Sequence, residues 1–339
     1  MHISFLRIGE KLMITKEETK ILKGLFMITV VISHSLSRYF NPAENTKIVV
    51  STLCNNVGMF GFTFLSGYGI YLSTRNNIND YWKKRIINVF IPALLANILV
   101  TLCSLLVGIN YTREEIYDSV FMLSRYNKIN GPTWYIPFIF SWYLIFWIIE
   151  LSNHKNKAVG FTVLSIVTAI LWYMYPVVHP NVTWYAFSFV LGWGYAVLNN
   201  RRQFRKIKGQ YILSIIACIV TFVVMCTTTE NSILTISIPF RFATVLQNLL
   251  SLICILGLIQ VVKPIVTLKR MTLVKKVGLW IGGISFEIYL FHFFILLQTV
   301  DNKIIDGNLL TFIVNIILVV IVAKLFQRAY ERVRIILNS

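Results

Sequence analysis

Along this chain, apolar residues come in runs of about 20 separated by short polar stretches, the length a helix needs to cross about 30 Å of hydrocarbon. The runs lie near 21–40, 48–73, 86–109, 133–151, 158–176, 182–199, 210–228, 240–262, 277–299 and 307–327. Inside a membrane, only helices or a closed barrel give every backbone amide an internal partner. The runs lack the period-2 alternation of barrel strands. The pattern therefore predicts an all-α, polytopic transmembrane bundle of about ten helices. The second run is long enough to tilt, and Pro137 and Pro176 are expected to interrupt the runs that contain them.

Charge fixes the orientation. If the N-terminus is cytoplasmic, all 32 Lys and Arg residues fall on the inner side except Arg38, Lys47, Arg113, Arg125, Lys128, Arg241 and Lys303. Such asymmetry is what the positive-inside rule produces. A missed or invented span would scramble it. Both termini are expected to be cytoplasmic, with an even number of helices. Residues 1–20 alternate apolar and charged groups, as in an amphipathic segment lying on the inner leaflet. The membrane domain is expected over 21–328 and a cytoplasmic tail over 329–339. The longest outer loop, about 110–132, carries Glu114, Glu115 and Asp118 and could cover an external site.

Composition excludes other classes. Of 339 residues, 56% are apolar and only 14% charged, well below the charge content of soluble domains. The formal charge of +18 sits between hydrophobic runs rather than on one basic face, which argues against nucleic acid. The five cysteines (Cys54, Cys103, Cys218, Cys226 and Cys254) show no CxxC or Cys/His spacing. They read as small buried hydrophobes, without a structural metal or a disulfide framework.

Polar residues within a span are functional candidates by default. His34 lies in the first run, Ser66 and Gly67 in the second, Glu287 and His292 in the ninth. His34 is about 13 residues beyond the inner end of its run, and His292 about 14 beyond the inner end of its own. At 1.5 Å per residue, both sit about 20 Å deep. Two imidazoles at matching depth could share one cavity, and histidine is suited to take and return a proton near neutral pH. The bland alternative is an interhelical hydrogen bond with no chemical role. A two-histidine metal site lacks a third ligand at sensible spacing. The basic cluster Lys83-Lys84-Arg85 fits the positive-inside rule, or else a site for the phosphates of a soluble donor, with Arg85 as the forked ligand.

Several landmarks, in order, resemble the membrane-bound "acyltransferase 3" family, which modifies cell-surface glycans and related acceptors. They are Leu22-Lys23-Gly24-Leu25 with Val31-Ile32-Ser33-His34-Ser35; Phe62-Thr63-Phe64-Leu65-Ser66-Gly67-Tyr68; Lys83-Lys84-Arg85-Ile86-Ile87-Asn88 leading to Ile91-Pro92; Gly131-Pro132-Thr133-Trp134-Tyr135-Ile136; and Ser285-Phe286-Glu287-Ile288-Tyr289-Leu290-Phe291-His292. The resemblance runs from residue 20 to about 300 and implies a ten-helix core with both ends cytoplasmic. It implies acyl transfer from cytoplasmic acetyl-coenzyme A, a substrate rather than a resident cofactor, to a hydroxyl presented within or across the membrane. By that likeness His34 is catalytic, and Lys23, Lys83, Lys84 and Arg85 bind the donor. Ser66 and Gly67 would permit close helix approach and passage of the pantetheine arm. Two positions depart from the family's pattern. Lys23 and Asn88 stand where arginines are usual, so a fork is lost at one and a charge at the other. Help from Lys275 or Lys276 is the expected compensation.

The mechanism expected on these grounds has neutral His34 remove the proton of an acceptor hydroxyl, which attacks the thioester carbonyl. Arg38, Trp134, Tyr135, Tyr289 and His292 are candidates for lining the cavity, contacting the acceptor or stabilising the oxyanion. A covalent acetyl-histidine intermediate fits the sequence equally well. Rival readings are a secondary transporter or flippase for a lipid-linked sugar, and a non-catalytic scaffold of a glycan-assembly complex. The expected partners are acyl-CoA, a glycan or lipid-linked glycan, and membrane lipids; a homodimer is left open. A bacterial plasma membrane is the expected location.

Overall fold

A computed structural model describes residues 14–40, 43–74, 78–123, 127–151, 157–174, 185, 187–201, 210–227 and 240–338. The chain is built from helices α1 (Lys16–Tyr39), α2 (Glu44–Thr74), α3 (Tyr81–Leu106), α4 (Arg113–Phe121), α5 (Gly131–Leu151) and α6 (Lys157–Met174). They are followed by α7 (Ser188–Arg201), α8 (Gln210–Thr227), α9 (Phe240–Thr267), α10 (Lys269–Gly283), α11 (Ser285–Asp301) and α12 (Leu309–Asn338). Each of the ten apolar runs carries a helix. Among the described residues, 5 helical stretches are by themselves long and apolar enough to cross a membrane, and up to 6 if the bent pair α10–α11 is one span. The molecule is a polytopic helical membrane protein. The amphipathic segment expected at 1–20 lies mostly outside the described residues.

The first helix starts at Lys16, ahead of its apolar run, because Thr15 and Glu18 form a capping box. Thr15 Oγ1 accepts from the Glu18 N–H at 3.2 Å, and Glu18 Oε2 accepts from the Thr15 N–H at 2.7 Å. Two orphan donors of the first turn are thereby satisfied. The same box, Thr112 with Glu115, starts the short helix α4. Pro137 does not interrupt α5. It falls in the first turn of the α-helical part, Tyr135–Leu151, which follows a 3-10 turn at Gly131–Trp134, and there a missing N–H costs little. Pro176 lies outside the described residues.

Glycine lets two pairs of helices touch backbone to backbone. On Gly282 of α10 a methyl group would run into the Lys20 carbonyl of α1, and on Gly24 of α1 it would lie 3.0 Å from the Gly282 nitrogen. The Gly278–Gly282 pair is a small-xxx-small seam, the usual means of close approach where lipid offers no hydrophobic drive. A second seam joins α2 to α7, with Gly67 against the Phe189 carbonyl and Gly192 against the Phe64 carbonyl. Just past Gly283 the chain breaks by 58° at Ile284, and α11 sets off in a new direction.

Two π-helical turns interrupt the long helices, at Ile86–Phe90 in α3 and Phe294–Gln298 in α11. Each leaves a carbonyl needing an outside partner. In α3 the Ile91 N–H bonds to the Ile86 carbonyl. The Ile87 carbonyl would next await the N–H of residue 92, which is proline and has none. The Tyr330 hydroxyl from α12 donates to it instead. In α11 the Phe294 N–H turns back to the Phe291 carbonyl. The Leu290 carbonyl it would have met accepts from Asn130 Nδ2 at 3.1 Å.

Asn130 belongs to a fully buried polar knot. Its amide also donates to Asn97 Oδ1 at 2.9 Å, Asn97 Nδ2 donates to the Ser119 carbonyl at 2.9 Å, and Asn127 Oδ1 accepts from the backbone N–H of Ile129 and Asn130. Asn127, Ile129 and Asn130, near the end of the stretch expected to be an outer loop, are thus seated in the bundle, with Asn130 at the level of Leu290. Because Tyr330 answers a carbonyl that nothing else in its helix can reach, Tyr330→Phe should cost about 1–3 kcal/mol. That cost is read as a lowered thermal midpoint of the detergent-solubilised protein. Gly282→Val, whose side chain meets main chain rather than a movable side chain, should abolish accumulation of folded monomer in size-exclusion chromatography.

Candidate functional site

The break at Ile284 turns α11 so that His292 meets α1. His34 Nδ1 and His292 Nε2 lie 3.0 Å apart, and the ring planes differ by only 4°. The ring centroids are 5.2 Å apart, longer than the N···N distance by nearly the full sum of the two ring radii. Both nitrogens therefore point along the line between the rings. The imidazoles lie edge to edge in nearly one plane, joined by a nearly linear hydrogen bond.

The partners determine where the protons are. His292 Nδ1 faces two main-chain acceptors, the Tyr289 carbonyl at 2.9 Å and the Ile288 carbonyl at 3.2 Å, so it carries a hydrogen. Neutral His292 then has its lone pair on Nε2. His34 Nδ1 must donate to it, which leaves the lone pair of neutral His34 on Nε2, directed away from His292. His292 is fully buried, whereas His34 is partly exposed. One turn on, Arg38 donates through Nη1 to the His34 carbonyl at 3.1 Å. It also forks onto Asp301 at the end of α11, with Nε–Oδ1 at 3.0 Å and Nη2–Oδ2 at 3.0 Å. The helices bearing the two histidines are thus tied together next to them.

Toward the N-terminal end of α1 lies a cavity of about 460 Å³. Its walls include Lys20 and Lys23 of α1, Ser66 of α2, Asn88 and Val89 from the π turn of α3, and Tyr135 and Tyr143 of α5. The break between α10 and α11 contributes Gly282, Gly283, Ser285 and Glu287, α11 adds Tyr289, and α12 adds Gln327 and Arg334. Tyr289 links the cavity to the histidines. It lines the wall, its hydroxyl donates to the Pro132 carbonyl, and its ring centroid is 6.1 Å from that of His292.

The sequence-predicted residues divide around this cavity. Lys23, Ser66, Tyr135 and Tyr289 line it. Ser66 Oγ donates to the Phe62 carbonyl at 2.9 Å and lies 3.4 Å from the Tyr135 hydroxyl. His34 and His292 form their own pair behind Tyr289, and Gly67 belongs to the α2–α7 seam. Trp134 is buried in an aromatic stack, its ring 6.1 Å from that of Tyr185. Lys83 and Lys84 are exposed, with Lys84 Nζ 3.8 Å from Asp80. Arg85 lies behind the wall: its guanidinium is 4.0 Å from the Tyr81 ring and 5.7 Å from that of Tyr143, and it donates to Ser73 Oγ at 2.8 Å. Lys275 pairs with Glu17 at 2.8 Å and Lys276 is exposed; neither is on the cavity wall.

Glu287, for which the sequence offers no role, is the third residue of α11. A carboxylate there faces unpaired N–H groups of the first turn. Its neighbour Gln327 donates to the Gly283 carbonyl at 2.7 Å and accepts from Lys324 at 2.7 Å. Lys20, Tyr143, Gln327 and Arg334 are wall residues that the sequence reading does not single out. Lys20 had a signal, since it sits one turn before Lys23 on the same face. Among the described residues, no group of three or more His, Cys, Asp or Glu could hold a metal ion.

No curated protein and no solved structure matches the chain. A family model for an acyltransferase domain does, over residues 18–328, which takes in both histidines, every wall residue of the cavity but Arg334, and the two glycine seams. The chain belongs to the acyltransferase 3 family.

Proposed function

We propose that this protein is an O-acetyltransferase that moves an acetyl group from cytoplasmic acetyl-coenzyme A to a hydroxyl of a cell-surface or lipid-linked glycan. The observation that carries this reading is the histidine pair. His34 presents an unprotonated Nε2, and its opposite nitrogen is held by a second, fully buried imidazole that is itself anchored to the main chain. A base oriented by a third group is the general logic of nucleophile activation. His34 is the general base, and His292 is a positioning residue that fixes its tautomer.

The donor enters by the cavity. Lys23 lies eleven residues before His34 on the same helix, about 16 Å along the axis. Phosphates held near Lys23 leave the pantetheine arm to run past Ser66, Tyr135 and Tyr289 toward the pair. The acceptor hydroxyl gives its proton to His34 Nε2 as its oxygen attacks the thioester carbonyl carbon. The tetrahedral oxyanion collapses, the C–S bond breaks, and the thiolate takes the proton back from His34. The products are an acetyl ester and free coenzyme A. The transporter reading calls for broken helices in corresponding positions of two halves; α10–α11 is the one such bent pair among the described residues.

Purified protein should cleave acetyl-coenzyme A slowly, followed as thiol release, and faster once an acceptor glycan is added. His34→Ala should reduce turnover by about 10²–10⁴-fold while the protein remains folded. Wild-type rates in that variant would remove His34 from the chemistry. His292→Ala, which frees the tautomer but leaves the base, should lower kcat with little change in KM. Its pH profile should also differ in shape from the wild type, a change that a mere packing defect would not produce. In Lys23→Gln the burden should fall on KM for acetyl-coenzyme A, with kcat nearly unchanged; a loss confined to kcat would place Lys23 outside the donor site.

A further inference from the structure

We propose that Arg334, on the C-terminal helix, is a ligand for the phosphates of the donor. With Lys20 and Lys23 it forms a three-cation rim on the cavity. The inference rests on the acyl-coenzyme A reading above and adds to it the helix that reading leaves out.

The cations on the cavity wall are Lys20, Lys23 and Arg334, and the single carboxylate there is Glu287. Lys20 and Lys23 are three residues apart and so share a face of α1. Arg334 is the one guanidinium on the wall. Arg85 is turned away onto the Tyr81 and Tyr143 rings and Ser73, and the positions that do reach the cavity from α3 are the uncharged Asn88 and Val89. A phosphate ester or diphosphate is recognised best by a planar fork that donates two parallel hydrogen bonds, which lysine cannot supply.

Arg334 is held in register by the stripe it stands on. Gln327, Tyr330 and Arg334 follow a spacing of three and four residues, so they project from one face of α12. Gln327 is bonded to the Gly283 carbonyl at the α10–α11 break, and Tyr330 to the Ile87 carbonyl in the π turn of α3. These two bonds fix the rotation of α12 about its axis. The next residue on the stripe, one turn further on, reaches the cavity. Gln327 and Arg334 both line it, about 10 Å apart along the helix. The nucleotide end of the donor carries the charge, and the exposed end of the cavity carries the cations. Anionic lipid headgroups offer the same chemistry as these phosphates, so the experiment must separate the two.

The test is a titration of full-length protein in nanodiscs of zwitterionic phosphatidylcholine, using coenzyme A and pantetheine as probes. Arg334→Gln should weaken coenzyme A binding about ten-fold and leave pantetheine unaffected. Arg334→Lys should recover only part of the loss. The thermal midpoint should stay at the wild-type value, and Arg332→Gln, two residues away on another face, should bind as the wild type does. Unchanged coenzyme A affinity in Arg334→Gln, beside a wild type that binds, would overturn this inference and leave the proposed function standing. An effect of the substitution that appears only when anionic lipid is added would overturn it in favour of a headgroup contact. A folded wild type that binds neither coenzyme A nor acetyl-coenzyme A would overturn the proposed function as well.

Discussion

A carbonyl oxygen that loses its helical partner inside hydrocarbon finds no water to replace it, and several kcal/mol are at stake for each. Much of this structure follows from meeting that requirement. Tyr330 answers Ile87, and Asn130 answers Leu290. In each case the donor comes from a different helix or loop, so every repair is also a cross-link between distant parts of the chain. The site uses the same device. The carbonyls of Ile288 and Tyr289 take up His292 Nδ1–H, and that contact decides which nitrogen of His34 is left bare.

Glycine then decides which helices can be close enough for such bonds. Contact of α1 with α10 through Gly24 and Gly282 leaves no room for side chains between them. Lys20 and Lys23 therefore stand beside the α10–α11 break, and the cavity opens where the two helices diverge. The 58° turn at Ile284 carries α11 back across α1, and His292 reaches His34 eight residues later. Packing at one end of α1 thus sets the geometry at the other.

How far the sequence foretells this depends on what the information is. The helical runs and the matching depth of the two histidines are legible, because both are set by the thickness of the hydrocarbon. That His34 and His292 touch is only suggested, since depth says nothing about rotation around the axis. Lys23 could be read only through the family resemblance, as the cation eleven residues before His34. Lys20 had only its place one turn before Lys23 as a signal, and Arg334 had none, because cations at the inner ends of spans are expected whether or not they bind anything. Arg85 shows the converse. Its surroundings in sequence point to a phosphate ligand, whereas in space Tyr81, Tyr143 and Ser73 hold it. The knot of Asn97, Asn127 and Asn130 escapes notice because two of its members lie in what reads as an outer loop.

The histidine pair ends on the main chain. An amide carbonyl can accept a hydrogen bond but cannot pass a proton onward, so a proton gained at His34 Nε2 can be shared between the two rings and go no further. It must leave by the atom through which it came. If acetyl transfer proceeds at this pair, each turnover closes its own proton account: the hydrogen lost by the hydroxyl is the hydrogen found on the thiol. Such a cycle carries no charge across the bilayer and gains nothing from the membrane potential. It would run equally well in an energised cell and in a leaky vesicle, driven only by the thioester.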